Sequence, residues 1–244
     1  MKIKHGTLGA AAVTMMLSVP AVAQDLDSGA GGSLTANAAA SSNYIWRGLT
    51  QTMNEVAVSG GLDYAADNGF YVGTWASNVS YAPGDVFSYE HDVYFGYSGG
   101  DSVTYDFGYL YYNYDDIAEF DFGEIYATLG FGNFSATAYV LANTEADEGP
   151  GQDFGFGQAN YVSLDYAVPL RDDLELGLHV GRHDGDFNEA FNGVPGDYVD
   201  YALSLAKGGF SFMISDTDLD SEVADGLDNG SVKFVVGYSM DFDL

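Results

Sequence analysis

The sequence contains no cysteine, five prolines and only seven lysines and arginines, set against 36 aspartates and glutamates. Without cysteine there is no disulfide framework to hold a loop-rich fold together. The shortage of cations excludes nucleic acid as a partner, because phosphates need neutralising positive charge. No apolar run reaches the roughly twenty residues a transmembrane helix requires. The mean hydropathy of −0.04 therefore argues against a helical membrane protein. It says nothing against a membrane barrel, whose strands show lipid only alternate residues. Disorder is excluded by abundance of another kind: 19 tyrosines and 16 phenylalanines are far more than unfolded acidic chains carry.

The N-terminus has the layout of a secretory signal peptide. Lys2 and Lys4 open it, Leu8 to Val19 is apolar, and Ala21-Val22-Ala23 precede Gln24. Residues 1–23 are thus expected to be removed on export, and 24–244 to form a single domain. Losing both lysines leaves five basic residues against 36 acidic ones, a formal charge of −31.

Period-two alternation marks twelve strands. They span Ser33–Trp46, Val56–Ala65, Phe70–Asn78, Tyr89–Ser98, Ser102–Tyr112, Phe122–Phe131, Phe134–Leu141, Gln158–Val168, Leu174–His183, Tyr198–Lys207, Phe210–Ser215 and Ser231–Phe242. In the ninth, Leu174, Leu176, Leu178 and Val180 oppose Glu175, Gly177, His179 and Gly181. In the last, Phe234, Val236, Tyr238, Met240 and Phe242 oppose Val235, Gly237, Ser239 and Asp241. In the third, Trp75 is out of phase with Phe70 and Val72, which leaves its facing open.

The connections alternate long and short. Asp67-Asn68-Gly69, Gly99-Gly100-Asp101, Gly132-Asn133, Arg171-Asp172-Asp173 and Gly208-Gly209 are short, and several suit hairpin turns. Residues 47–55, 79–88, 113–121, 143–157, 184–197 and 216–230 are long and hold 20 of the 36 acidic residues. Such alternation belongs to barrels with short periplasmic turns and long extracellular loops. Tyr64, Phe70, Tyr97, Phe131, Phe134, Tyr166, Phe210 and Phe242 lie beside the short turns on the apolar phase, where an aromatic girdle is expected. The fold class is accordingly all-β, a closed antiparallel transmembrane barrel of about 12 strands.

If the apolar phase meets lipid, the other lines the lumen. Its expected residues are Asp63, Asp92, Asp106, Glu124, Asp165, Glu175, Asp200 and Asp241, with Lys233 as the clear cation. Unpaired carboxylates among small residues attract cations and repel anions, so a narrow, water-filled, cation-preferring pathway for small solutes is expected. The alternative is a non-conducting structural or surface-interaction barrel, its lumen packed by Tyr94, Tyr161 and an inward-folded loop. His179, Ser204 and Glu175 form the one Ser/His/carboxylate set, and it would face the lumen rather than lipid. No enzymatic activity is expected. Residues 216–222 carry alternating acids but lack the glycine and glutamate of an EF-hand loop, so neither a metal site nor a cofactor is expected.

One stretch carries a resemblance. Ser42-Asn43-Tyr44-Ile45-Trp46-Arg47-Gly48, followed by Gln51, resembles the S-x-Y-x-x-R-G opening of the TorF-type porin family of proteobacteria. Gly60-Gly61-Leu62-Asp63-Tyr64 and Gly69 to Val79 continue it. So do Glu90, Asp92, Tyr94, Gly96 and Tyr97, then Tyr105, Asp106, Gly108, Tyr112 and Tyr114. The resemblance covers about residues 41–114 and implies an outer-membrane channel with no assigned substrate. It includes Arg47, a lone cation at a strand end, which is read as an ion-pair anchor for the first long loop. The chain departs from the usual barrel ending, since Asp243 and Leu244 follow Phe242. The expected partners are outer-membrane lipid and lipopolysaccharide, the barrel assembly machinery and small solutes. Oligomeric state is left open.

Overall fold

The computed structural model describes residues 31–171, 173–220 and 227–244. The expected signal peptide lies outside the described residues. The strands are β1 (Ser33–Ser41), β2 (Ile45–Trp46), β3 (Leu49–Thr50), β4 (Ala57–Ala65), β5 (Phe70–Asn78), β6 (Tyr89–Gly100) and β7 (Val103–Asn113). They continue as β8 (Phe122–Phe131), β9 (Phe134–Thr144), β10 (Asn160–Arg171), β11 (Leu174–Asp184), β12 (Tyr198–Lys207), β13 (Phe210–Thr217) and β14 (Lys233–Asp243). All except β2 and β3 form one closed barrel of twelve strands, each paired with its sequence neighbour and β1 closing against β14. Every pairing in the barrel is antiparallel; the closing register sets Ala36 opposite Phe242 and Ala38 opposite Met240. Closure leaves no unpaired edge, which a sheet surrounded by hydrocarbon cannot tolerate.

Alternation decides the two faces. Leu178, Val180, Leu164, Tyr166, Phe95 and Phe107 are exposed on the outer surface. On the same strands Gly181, His183, Asp165, Tyr161 and Tyr94 are buried within. All eight aromatics beside the short turns are exposed on the outer face. This outward apolar band is the surface a transmembrane barrel presents to lipid. Trp75 points inward, its ring 5.6 Å from that of Tyr44, while Phe70 and Val72 point out.

The chief departure from the expected strands is at the first. Strand pairing stops at Ser41, not Trp46. Ser42 donates its N–H to Val236 O, and the chain then turns into the barrel. There β2 and β3 form a miniature hairpin, Ile45 opposite Thr50 and Trp46 opposite Leu49. Its two turn residues, Arg47 and Gly48, both have positive φ, +50° and +83°. Two positive φ values match the twist of a two-residue hairpin. Gly48 is further required by space: a Cβ there would lie 2.6 Å from Asp200 Cβ. Tyr44-Ile45-Trp46 are strand-favouring residues, and that local composition does not reveal the inward turn.

The second departure is a helix, α1 (Asp186–Asn192), in the connection between β11 and β12. Gly193 ends it in the left-handed conformation, donating its N–H to Glu189 O at 2.9 Å. Phe187 and Phe191, one turn apart, face the barrel mouth with ring centroids 5.0 and 5.3 Å from Phe122.

Candidate functional site: the lumen and the hairpin that crosses it

Tyrosine dominates the inner wall, and glycine decides how those rings lie. A Cβ on Gly73 would lie 2.4 Å from Tyr94 Cε2, one on Gly108 2.6 Å from Tyr126 Oη, and one on Gly181 2.0 Å from Tyr161 Oη. These rings therefore lie flat over the glycines of neighbouring strands instead of projecting across the bore. This aromatic cover of strand glycines also pins register. Tyrosine richness by itself does not close the lumen.

The inward hairpin does close it, toward the end that bears the long connections. Tyr44 and Trp46 pack in a cluster with Leu110, Tyr112, Phe122, Leu141 and Phe187 on one side of the bore. Ile45 packs with Met213 and Val235 on the opposite side, and Leu49 with Val194, Tyr198 and Leu219. One short segment thus touches both sides of the lumen through apolar contacts. Polar bonds fix it as well. Asn43 Oδ1 accepts from the hydroxyls of Thr50 (2.6 Å) and Thr52 (3.2 Å), and Tyr198 donates its hydroxyl to Arg47 O at 2.8 Å. Thr50 N–H donates to Asn229 Oδ1 at 3.0 Å, and Tyr81 donates its hydroxyl to Gln51 Oε1 at 2.7 Å.

Arg47, at the hairpin tip, is the buried cation of this plug. Its guanidinium donates to Glu124 Oε1 at 3.0 Å and Oε2 at 2.5 Å, with both side chains about 5% exposed. Nη1 also donates to His183 Nε2 at 3.1 Å; since arginine only donates, that imidazole nitrogen accepts. The guanidinium carbon stands 4.2, 4.8 and 4.5 Å from the ring centroids of Trp46, Tyr139 and Tyr161. Burial works against the charge, and the adjacent Glu124 more than offsets it, holding Arg47 above its ordinary range.

The structure places all the expected lumen residues on the inward face, in different settings. Asp63 accepts from Tyr94 (2.5 Å) and Asn37 (3.3 Å). Asp106 accepts from Tyr71 at 2.6 Å, and the Tyr71 and Tyr126 hydroxyls meet. Asp165 and Asp200 flank His179 at 2.6 and 2.9 Å, and Tyr161 donates to Asp200. A ring nitrogen meets a carboxylate as a donor, so His179 is a clasp across β10, β11 and β12. Asp92 is completely buried, and neither of its oxygens has a hydrogen-bond partner. Glu175 is half-buried and Asp241 exposed near the short-turn end. Lys233 lies toward the long-connection end and donates to the carbonyls of Leu227 and Asp228.

Two expectations need correction. The lumen carboxylates are not mostly unpaired: Asp63, Asp106, Glu124, Asp165 and Asp200 all have partners, because tyrosines and a histidine share their face. The Ser/His/carboxylate set does not assemble either. Ser204 lies opposite Gly177, while His179 turns both nitrogens to Asp165 and Asp200.

Glu90 is a lumen residue the sequence reading left among the resemblance motifs. It is buried and accepts from Tyr44 (2.6 Å) and Tyr114 (2.7 Å). Its alternation with Asp92 and Tyr94 is the signal that could have found it. Of residues 216–222, Ser221 and Glu222 lie outside the described residues. Asp218 accepts the Val199 N–H at 2.7 Å. Among the described residues no acidic or histidine group has metal-binding geometry.

A closed twelve-stranded antiparallel barrel with an apolar outer band and a polar, tyrosine-lined bore defines the class: a porin-like β-barrel. The chain belongs to the Gcw_chp family, described as bacterial protein of unknown function, whose model matches residues 25–238. No curated protein matches it. Among solved structures it is similar to the KdgM porin, at 7% identity and a TM-score of 0.53, over 85% of this chain and 99% of that one. It is also similar to the NanC porin, at 12% identity and a TM-score of 0.52, over 86% and 100%. A KdgM porin in complex with disordered oligogalacturonate has a TM-score of 0.50 at 7% identity, over 87% and 99%.

Proposed function

We propose that this protein is an outer-membrane channel for small solutes with a preference for cations, held closed by its first long loop. The reading includes the TorF-type likeness of residues 41–114 and export by the N-terminal signal. The short turns then face the periplasm and the long loops the exterior. The observation that carries it is the asymmetry of the bore. The extracellular half is filled by a segment contributed from a loop, while toward the short turns the wall is mostly Gly, Ser, Thr and Ala among carboxylates, with Tyr71 and Tyr126 lying along it over Gly96 and Gly108. A barrel that was structural throughout would fill its bore with wall side chains, as small barrels do.

Charge sets the class of solute. Ten carboxylates face the bore among the described residues (Asp63, Glu90, Asp92, Asp106, Glu124, Asp165, Glu175, Asp200, Asp241 and Asp243) against Arg47, Lys233 and His179, which donates from both ring nitrogens. The KdgM porin solved with oligogalacturonate holds a polyanion. A bore of this sign repels polyanions, so likeness of fold does not carry that ligand across.

The test is planar-bilayer conductance of the wild-type chain and of a variant with residues 43–54 replaced by a short Gly-Ser linker. Ser41 and Ala57 are opposed in the β1–β4 pairing, so the linker need span little distance. The linker variant is expected to conduct more than wild type, with a reversal potential in a KCl gradient that reports cation selectivity. A silent linker variant would refute the channel, and anion selectivity would refute the cation preference.

A further inference from the structure

The groups around Arg47 make a second point, which rests on the channel reading only for its place in transport. We propose that the barrel wall carries a receptor for guanidinium-type organic cations, and that Arg47 is its tethered occupant. Apart from Trp46, every group that touches the guanidinium comes from the wall: Glu124 on β8, Tyr139 on β9, Tyr161 on β10 and His183 on β11. These are four consecutive strands, so the receptor does not need the loop in order to exist.

The chemistry selects a planar, forked cation. Glu124 presents both oxygens to the two Nη atoms, which a guanidinium matches and an ammonium does not. Tyr139 and Tyr161 offer their faces at stacking distance, and His183 Nε2 supplies a further acceptor. The receptor is also preorganised. Tyr112 donates to Glu124 at 3.1 Å, Tyr161 is held by Asp200, and Gly181 leaves the space in which the Tyr161 ring lies. A wall built this way keeps its shape when its occupant leaves, which lowers the cost of binding another.

The occupant is held less comfortably than the receptor. Arg47 reaches the cage from a residue with φ of +50°, a conformation unfavourable for a side chain of its kind. A free guanidinium compound makes the same contacts without that backbone. It would approach from the periplasmic half, past Glu175, Asp241 and Asp243 and then the His179 clasp, and the net negative charge of that half raises the local concentration of cations. Displacing Arg47 removes the charged anchor at the hairpin tip, so the ligand that fits the cage is also one that loosens the plug. The solute class this geometry points to is an arginine-like or other guanidinium-bearing small molecule.

The probe is methylguanidinium. Purified Arg47→Ala protein, shown folded by its resistance to unfolding in detergent before heating, is titrated by calorimetry. Saturable one-to-one binding is expected, weakened at least about tenfold in Arg47→Ala/Glu124→Gln, with methylammonium bound at least about tenfold more weakly than methylguanidinium. No binding, or equal binding by the double variant, would overturn the proposal. A second arm keeps Arg47 in place and exploits the absence of cysteine from the chain. In a Leu49→Cys variant the buried thiol reports exposure of the hairpin through its labelling by a water-soluble maleimide. Methylguanidinium at tens of millimolar should accelerate labelling at least about threefold over sodium at equal ionic strength, since a tethered occupant competes at an effective concentration of about millimolar. An unchanged rate would overturn the proposal even if Arg47→Ala fails to fold. Neither readout requires conduction. A silent barrel that binds methylguanidinium therefore fails the channel and keeps the receptor, and a conducting barrel that ignores it does the reverse.

Discussion

Arg47 and Glu124 stand 77 residues apart in the chain and meet inside the barrel in a forked pair of hydrogen bonds, 3.0 and 2.5 Å long. Removing one partner leaves a buried charge without compensation, which costs about 3–5 kcal/mol. Arg47→Ala should therefore lower the resistance of the folded protein to urea by that order, and Arg47→Ala/Glu124→Gln should recover most of the loss. A double-mutant cycle measures this; additive losses would show that the two residues do not act as a pair.

Gly181 is the space beneath Tyr161. A Cβ there would lie 2.0 Å from Tyr161 Oη and 2.6 Å from Asp200 Oδ2, so Gly181→Ala must push the ring off the wall and disturb its contact with Arg47. Overpacking of this kind costs about 1–3 kcal/mol. Gly177→Ala, on the same face of β11, is the control. Equal unfolding free energies for the two variants would rule out this role for the glycine.

Asp92 is buried beside Glu90 with both oxygens lacking hydrogen-bond partners. Relief of an unsatisfied buried group is worth about 1–3 kcal/mol. Asp92→Leu, apolar and of similar size, should make the protein more resistant to unfolding, contrary to the usual effect of a core substitution. A loss of stability on this substitution would mean that the carboxylate is satisfied in solution.

The outer face is tested by Leu178, exposed in the middle of β11. Leu178→Arg places a charge against hydrocarbon and should cost about 2–4 kcal/mol in folding titrations into lipid vesicles. The same substitution at exposed Ile117, in a long connection, should cost almost nothing. Similar costs at both sites would contradict a lipid-facing barrel.

Asp115 joins two long connections by accepting the Ser88 N–H (2.6 Å), the Ser88 hydroxyl (2.9 Å) and the Tyr89 N–H (3.3 Å). Slight desolvation opposes its charge, but these donors outweigh it and hold Asp115 below the usual carboxylate range. A depressed acid contributes stability above its unfolded value and loses it as pH falls through the folded one. Protection of the Ser88 and Tyr89 amides from exchange should thus persist at neutral pH and disappear only under acid stronger than an ordinary aspartate needs. Asp115→Asn should flatten that dependence; the same profile in the variant would assign it to another group.

The sequence by itself determined the barrel. Alternation along strands such as β11 and β14 is local, so each residue's face could be read from its neighbours, and the turn residues marked most of the hairpins, though not the end of β1. Eight inward carboxylates followed from the same parity, as did Lys233. What only the tertiary structure decided was what those residues meet. Tyr161 reaches both Asp200, 39 residues on, and the guanidinium of Arg47; His179 lies between two strands' carboxylates; and Tyr44-Ile45-Trp46 have a strand's composition while turning into the bore. Parity along one strand says which way a side chain points. Partners across a closed lumen depend on strand stagger and on where a loop folds, and these are set by contacts between segments far apart in the chain. An inward-folded loop was one of the open readings, but that the first long loop is the one that turns inward, at Arg47 and Gly48 with positive φ, was not legible in the motif.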